Sequence, residues 1–233
     1  MSSSPALLEI SGLSAWYGAA QILFDLDLQV RRGEVVALMG RNGAGKSTTL
    51  KTIMGLLDKR RGRVSFMGRD ISRAAPHEIA AQGLGFVPED RRIFTDLSVS
   101  ENLEVGRQPP RRWPDGSAVP SWTPERLYAL FPNLGEMPER PGGCMSGGEQ
   151  QMLSVARTLM GNPCLVLMDE PSEGVAPVIA EQMMRMILEL KAQGVSILLS
   201  EQNPSFAGKV ADRVYELEKG QIHFTPCSPP NSD

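Results

Sequence analysis

Val35-Val36-Ala37-Leu38-Met39 runs without a break into Gly40-Arg41-Asn42-Gly43-Ala44-Gly45-Lys46-Ser47-Thr48. An uninterrupted apolar run of this length reads as a strand covered on both faces. The segment after it satisfies G-x-x-x-x-G-K-[ST]. Gly40, Gly43 and Gly45 let backbone N–H groups turn inward as a nest for phosphate oxygens. A helix from about Lys46 to Met54, closed by Gly55, aims the positive end of its dipole at the same anion. Lys46 is placed for the β- and γ-phosphates of a nucleotide and the Ser47 hydroxyl for Mg²⁺. Strand, glycine loop and helix in this order predict an α/β nucleotide-binding core.

Leu165-Val166-Leu167-Met168-Asp169-Glu170-Pro171 complements that loop. It is an apolar strand ending in two carboxylates. Asp169 is placed to hold the metal beside the phosphate loop, and Glu170, one residue further out, to polarise an attacking water. The remaining chain fits around these two strands. Leu7–Leu13 and Ile22–Val30 alternate apolar and polar residues as half-buried strands do, and Arg31-Arg32-Gly33-Glu34 is a turn. Arg63–Met67 and Gly85–Val87 read as strands, with a short helix near His77–Gln82. Helical patterns take over from about Ser98. After Gly161 come a helix at Val178–Leu190, a strand at Val195–Leu199, and a closing hairpin of Arg213–Glu218 and Gln221–Phe224. Met183, Met186, Ile187 and Leu190 form a stripe that reads as ordinary core.

Residues 107–124 hold five of the chain's 18 prolines, which excludes a helix or strand running through them. Trp113 and Trp122 lie there, either as partner contacts or as packing on the helical segment around them. Among 233 residues, 24 basic stand against 27 acidic, a net of −3, which argues against nucleic acid as the main partner. The apolar fraction of 41% argues against disorder. Cys144, Cys164 and Cys227 are widely spaced free thiols of a reducing compartment, not a disulfide or zinc framework. The N-terminus lacks the pattern of a signal peptide, and no apolar run is of membrane-spanning length. A cytoplasmic chain follows, with any membrane role supplied by a partner.

Met145-Ser146-Gly147-Gly148-Glu149-Gln150-Gln151 opens an amphipathic helix carrying Met152, Leu153, Ala156 and Leu159. Ser146 and two glycines at a helix start make a second anion-binding terminus. One nucleotide is not easily served by two distant termini of one chain, whereas two copies facing head-to-tail could share them. The plainer alternative is an N-cap with glycines for packing.

Together these segments resemble the ATP-binding-cassette (ABC) ATPases from about Leu7 to Phe224. Gly40–Ser47 and Leu165–Glu170 match the two Walker motifs, and Met145–Glu149 matches the family signature. The resemblance implies one ABC ATPase domain over residues 7–224, an α/β P-loop NTPase fold. It would have a RecA-like core, an N-terminal β-subdomain and an inserted helical subdomain at about 91–160. The Pro-rich tail at 225–233 reads as disordered, and it either replaces the family's last C-terminal helix or marks a truncated or diverged copy. The resemblance also implies ATP and Mg²⁺ bound between two subunits. Arg41, Asn42, Ala44, Thr48 and the signature residues Ser146, Gly147, Gly148 and Glu149 join the nucleotide contacts. Tyr17 matches the aromatic that stacks on adenine, with Trp16 its rival. Pro171-Ser172-Glu173-Gly174 matches the loop that meets the opposite subunit.

Two positions depart from the family. Glu89 replaces the glutamine that joins core and helical subdomain, and is carried over as a contact of the nucleotide and the metal. Gln202 replaces the histidine of the γ-phosphate and is carried over as catalytic, with Glu170 and Lys46. His77 and His223 read as surface residues. The stretches Val87-Pro88-Glu89, Arg91-Arg92, Met145–Leu153, Asp169–Pro177 and Glu201-Gln202-Asn203 resemble the ATPases of bacterial branched-chain amino-acid importers. This implies ATP hydrolysis driving uptake of such amino acids. It also implies transmembrane permease subunits, a second ATPase subunit (a copy or a different chain), a periplasmic solute-binding protein acting indirectly, and a place on the inner face of the membrane. Arg91 and Arg92 are candidates for contact with the permease. Two alternatives remain: a weakly hydrolysing, nucleotide-gated subunit of a heterodimer, and an importer ATPase for urea or short amides.

Overall fold

The computed structural model describes residues 6–223. Phe224 and the tail 225–233, with Cys227, lie outside the described residues. Strands β1 (Ala6–Tyr17) and β2 (Ala20–Arg31) form a hairpin turned at Gly18-Ala19. Leu8, Ile10, Leu26, Leu28 and Val30 point inward, while Glu9, Asp27 and Gln29 stay exposed. Both strands outrun the apolar alternation that announced them, because antiparallel pairing continues through Trp16↔Gln21 and Tyr17↔Ala20 to the turn itself.

Strand β3 (Val35–Met39) leads through the glycine loop into α1 (Lys46–Ile53). β4 (Arg60–Phe66) and β5 (Arg69–Asp70) complete a four-stranded antiparallel sheet in the order β2-β1-β4-β5. After α2 (Pro76–Ala81) and β6 (Leu84–Val87), the chain leaves the sheet for four helices. These are α3 (Val99–Gly106), α4 (Pro124–Leu130), α5 (Pro132–Gly135) and α6 (Gly147–Leu159). It returns as β7 (Leu165–Asp169), α7 (Pro177–Ala192), β8 (Ser196–Glu201) and α8 (Pro204–Val210). The described chain ends in the hairpin β9 (Arg213–Glu218) and β10 (Gln221–His223).

The second sheet has the order β10-β9-β3-β8-β7-β6 and is parallel except for β10. Its central strands are apolar on both faces because both are covered. Val36, Leu38, Leu165, Leu167 and Leu198 pack with Leu50 and Ile53 of α1 and the antiparallel sheet. The alternate residues Val35, Ala37, Val166, Met168, Ile197 and Leu199 pack against α6 and α7, including the stripe of Met183, Met186, Ile187 and Leu190. Since β3, β8 and β7 are adjacent and parallel, their C-terminal ends emerge together. Gly40, Glu170 and Gln202 therefore leave the sheet at one place.

The Pro-rich segment is a loop with a single isolated bridge, Arg112↔Ala118. Trp113 and Trp122 are 5% and 4% exposed, so both are internal packing. Trp113 does not pack on the helical segment. With Val119 it reaches the core on the antiparallel-sheet side, while Trp122 joins the helical side. The Arg32 guanidinium lies 4.2 Å from the Trp113 ring centroid and pairs with Asp115 at 2.8 Å. Arg111 donates to the Ala81 carbonyl. The loop is therefore a strap from the helices across to the opposite core. Among the described residues no helix is long and apolar enough to cross a membrane. Cys144 is exposed and Cys164 buried, both as free thiols.

Removing the Trp113 ring leaves a cavity under the strap, so Trp113→Ala should cost about 3 kcal/mol in urea unfolding. Trp113→Phe should recover most of that loss. An unchanged midpoint in Trp113→Ala would mean that the strap is not part of the cooperative fold.

Candidate active site

The phosphate loop owes its shape to two glycines that no other residue replaces freely. Gly45 sits at φ 109°, and a Cβ there would lie 2.8 Å from Leu23 Cδ2. At Gly40 a Cβ would lie 2.5 Å from the Leu217 carbonyl oxygen. Ala44 is buried, and its carbonyl accepts from the Gly220 N–H at 2.9 Å, which ties the loop to the β9–β10 turn. Arg41, Asn42 and Gly43 are exposed, and Thr48 is buried in the first turn of α1. Lys46 Nζ donates to the Gly40 and Arg41 carbonyls at 2.8 and 3.1 Å. It also pairs with Glu170 Oε1 at 2.9 Å, with the two side chains 2% and 6% exposed.

Asp169 lies beside this pair with no exposed surface. Its Oδ1 accepts from Ser47 Oγ at 2.9 Å and Ser200 Oγ at 2.7 Å, whereas its buried Oδ2 has no partner. Burial raises the Asp169 pKa above its ordinary value, although the hydrogen bonds from Ser200 and Ser47 pull it down. A carboxyl raised in this way makes the fold less stable as pH climbs from its unfolded to its folded pKa. A cation reaching Oδ2 would reverse that cost. The orphaned oxygen next to the Ser47 hydroxyl is the oxygen-donor chemistry that Mg²⁺ takes.

Glu170 occupies the left-handed region at φ 48°. Its N–H donates to the Ser200 carbonyl and hydroxyl oxygens at 3.2 and 3.0 Å. Gln202 Nε2 donates to Glu170 Oε2 at 3.0 Å and to Glu173 Oε2 at 2.7 Å, so one amide nitrogen bridges two carboxylates. Lys46, Ser47, Asp169, Glu170 and Gln202 thus form one connected cluster. Ser200 and Glu201 belong to it as well and had no assigned role in the sequence reading. The available signal was their place, two polar residues directly after the apolar run Ile197–Leu199, at the end of a parallel strand where sites gather.

The other expected residues stand apart. Tyr17, at the hairpin tip, is 52% exposed, whereas Trp16 is partly covered, with Lys59 Nζ 5.4 Å from its ring centroid. Tyr17 is therefore the more open of the two faces. Glu89 is exposed just past β6, and continuing the register Val87↔Met168 places it level with Glu170. It makes no hydrogen bond or ion pair among the described residues. Ser146 and Glu149 close a capping box on α6. Ser146 N–H donates to Glu149 Oε2 at 2.7 Å, and Glu149 N–H donates to Ser146 Oγ at 3.4 Å. Gly147 and Gly148 leave room for Arg91 and Ile179, whose atoms would lie 2.9 Å from a Cβ at each. Arg91 therefore packs beside the signature, and Arg92 pairs with Asp90 at 2.9 Å. His77 and His223 are exposed.

The profile of the ABC transporter family matches residues 23–173. The high-affinity branched-chain amino acid transport ATP-binding protein BraG of Pseudomonas aeruginosa is 41% identical, over 93% of this chain and 91% of its own length. The lipopolysaccharide export system ATP-binding protein LptB of Haemophilus influenzae is 31% identical, over 94% of this chain and 90% of its own. The ADP conformation of an ATP-binding cassette of an ABC transporter superposes with a TM-score of 0.76 at 29% identity, covering 94% of this chain and 90% of that one. With a phosphate loop, two strand-end carboxylates and a capped signature helix on the fold of that cassette, this chain belongs to the ABC transporter family as an ATP-binding, ATP-hydrolysing subunit.

Proposed function

We propose that the chain hydrolyses ATP to drive a membrane importer of branched-chain or related amino acids, with Glu170 as its general base. The observation that carries this reading is the buried Lys46–Glu170 pair beside the orphaned Asp169 oxygen. A cation for phosphate, a base for water and a seat for a metal share one set of strand ends. The higher identity to BraG than to LptB favours the amino-acid reading of the solute.

The pair gives the reaction its order. The phosphates of ATP draw Lys46 Nζ away from Glu170 Oε1, which leaves Glu170 held by Gln202. Oε1 then accepts a proton from the attacking water as its oxygen bonds to the γ-phosphorus and the bond to the β–γ bridging oxygen breaks. The charge that collects on ADP is met by Lys46 and the loop N–H groups. Ser47 and Asp169 would hold Mg²⁺, which when bound neutralises charge across the β- and γ-phosphates. Tyr17 stacks on the adenine, and Glu89 approaches the same nucleotide from the end of β6. Ser146, Gly147, Gly148 and Glu149 serve the ATP of a second subunit placed head-to-tail, whose surface meets Pro171–Gly174.

The permease would dock in the groove of about 560 Å³ lined by Phe86, Arg92, Phe94, Arg111 and Arg157. Arg111 Nε and Arg157 Nη1 are buried there without a partner, which suits carbonyl or acidic groups on the incoming segment. Docking would hold the chain at the inner face of the membrane, with a periplasmic solute-binding protein acting from the far side. One observation favours a second reading, a weakly hydrolysing member of a heterodimer. Gln202 carries no positive charge, and its amide nitrogen is already engaged by two carboxylates.

Glu170→Gln should slow Mg-ATP turnover by roughly 10²–10⁴ and trap an ATP-bound dimer seen by light scattering. Turnover that survives the substitution would remove Glu170 as the base. ATP binding with neither turnover nor self-association in the native chain would favour the heterodimer reading. In proteoliposomes holding the permease, Arg92→Glu should abolish transport while the basal ATPase of the free subunit stays within about twofold, since an exposed charge outside the site contributes little to it. Transport that persists would move the docking surface elsewhere. Stimulation of the assembled ATPase by leucine, isoleucine or valine with the binding protein supports the proposed solute class, and stimulation by urea or short amides instead would replace it.

A further inference from the structure

We propose that Glu201 is a positioning residue for hydrolysis, its carboxylate locking together the two loops that hold Glu170; this rests on the ATPase reading above. Glu201 ends β8 and is 1% exposed, yet it forms no ion pair among the described residues. Backbone donors meet its charge instead. Oε1 accepts from the Ser172 N–H at 3.1 Å, and Oε2 from the Gln202 and Asn203 N–H groups at 3.0 and 3.2 Å. Hydrogen bonds to an ionised acceptor are about twice as strong as neutral ones. The Glu201 carbonyl also accepts from the Gly40 N–H at 3.3 Å. One residue thus touches the main chain of the phosphate loop, of the loop after Glu170, and of the loop that carries Gln202.

Two side chains span the gap between the last two loops, Glu201 to Ser172 and Gln202 to both Glu170 and Glu173. Glu170 needs both. Its φ of 48° is unfavourable for a residue with a Cβ and persists only where the surroundings over-determine it. A neutral or apolar side chain at position 201 would fill the space but leave backbone N–H groups buried without acceptors. Without the carboxylate, the Glu170 N–H keeps Ser200, but the side-chain amide of Gln202 is left to join the two loops, and once Lys46 turns to phosphate the Glu170 carboxylate rests on that amide. Glu201 touches no nucleotide-facing side chain, so its effect passes through the placement of Glu170 and Gln202.

The test compares Glu201→Gln and Glu201→Asp with the native chain and Glu170→Gln. Glu201→Gln is isosteric but turns a donor toward backbone donors. Its kcat should fall roughly 10- to 100-fold, with KM for Mg-ATP and affinity for ADP within about twofold, and amide hydrogen exchange at Ser172 should accelerate. Glu201→Asp keeps the charge but is one methylene short. It retains the Gln202 and Asn203 bonds, loses Ser172, and should lose as much kcat. A native rate in either variant overturns the proposal. So does a fall in ADP affinity and thermal midpoint in step with kcat, which would make Glu201 a support of the fold alone. If the native chain itself fails to turn over ATP, the ATPase reading fails separately, and unchanged exchange at Ser172 in Glu201→Gln still overturns the contact.

Discussion

An ammonium and a carboxylate are held nearly out of water where three parallel strands end, and each is tolerable there because of the other. Lys46 and Glu170 meet at 2.9 Å, and Nζ also donates to two carbonyls of its own loop. Burying either charge alone would cost several kcal/mol. The pair can exist because β3, β8 and β7 are adjacent and in parallel register. The glycine loop then curls back over its own lysine, and Glu170 is bent into the left-handed region by Ser200. What keeps the pair stable also makes it exchangeable. Under the proposed reaction Lys46 would leave one anion for a stronger one, with the carboxylate still held by Gln202. The same strand ends keep Asp169 dry with one oxygen unpaired. The site therefore holds one exchangeable ion pair beside one unpaired carboxylate oxygen.

Much of this was legible in the sequence because the chemistry is local. The glycine loop, its lysine and serine, and the two carboxylates after an apolar strand each lie within a few consecutive residues. Both the loop's curl and the strand's burial follow from residue type. The α/β class was also accessible, through the resemblance these motifs carry, whereas the strand order was not. What could not be read depends on register between distant strands. Ser200 hydrogen-bonds both Asp169 and Glu170, and Glu201 reaches Ser172 about thirty residues away, only because Asp169 pairs with Ser200 across β7 and β8. Position in the sequence says nothing of that alignment. The first two strands outrun their apolar pattern for a related reason: apolar alternation reports one buried face, whereas backbone pairing continues past it. Trp113 was unreadable because a tryptophan between prolines carries no periodicity to say which core it enters.

At the signature helix the plainer of the two readings is the one observed. Ser146 and Glu149 close a capping box, and Gly147 and Gly148 make room for Arg91 and Ile179. An N-cap with packing glycines is therefore what the isolated chain contains. That arrangement also leaves a satisfied, pre-formed helix start with Ser146 exposed, so presenting it to a neighbour's nucleotide requires no refolding.

The strap of residues 107–123 has a consequence for how this chain can vary. Long proline-rich surface loops are ordinarily where insertions, deletions and grafted labels do least harm. Here Gln108 is held by Met160 and Asn162, Arg111 by Ala81, and Trp113 and Val119 are sunk in a core across the molecule. Shortening the segment would pull those anchors out of register with one another. Pro109-Pro110, exposed between Gln108 and Arg111, is where length can change without disturbing either anchor. The loop is thus a spacer of fixed span with one adjustable joint, and relatives that differ in length here should differ at that joint.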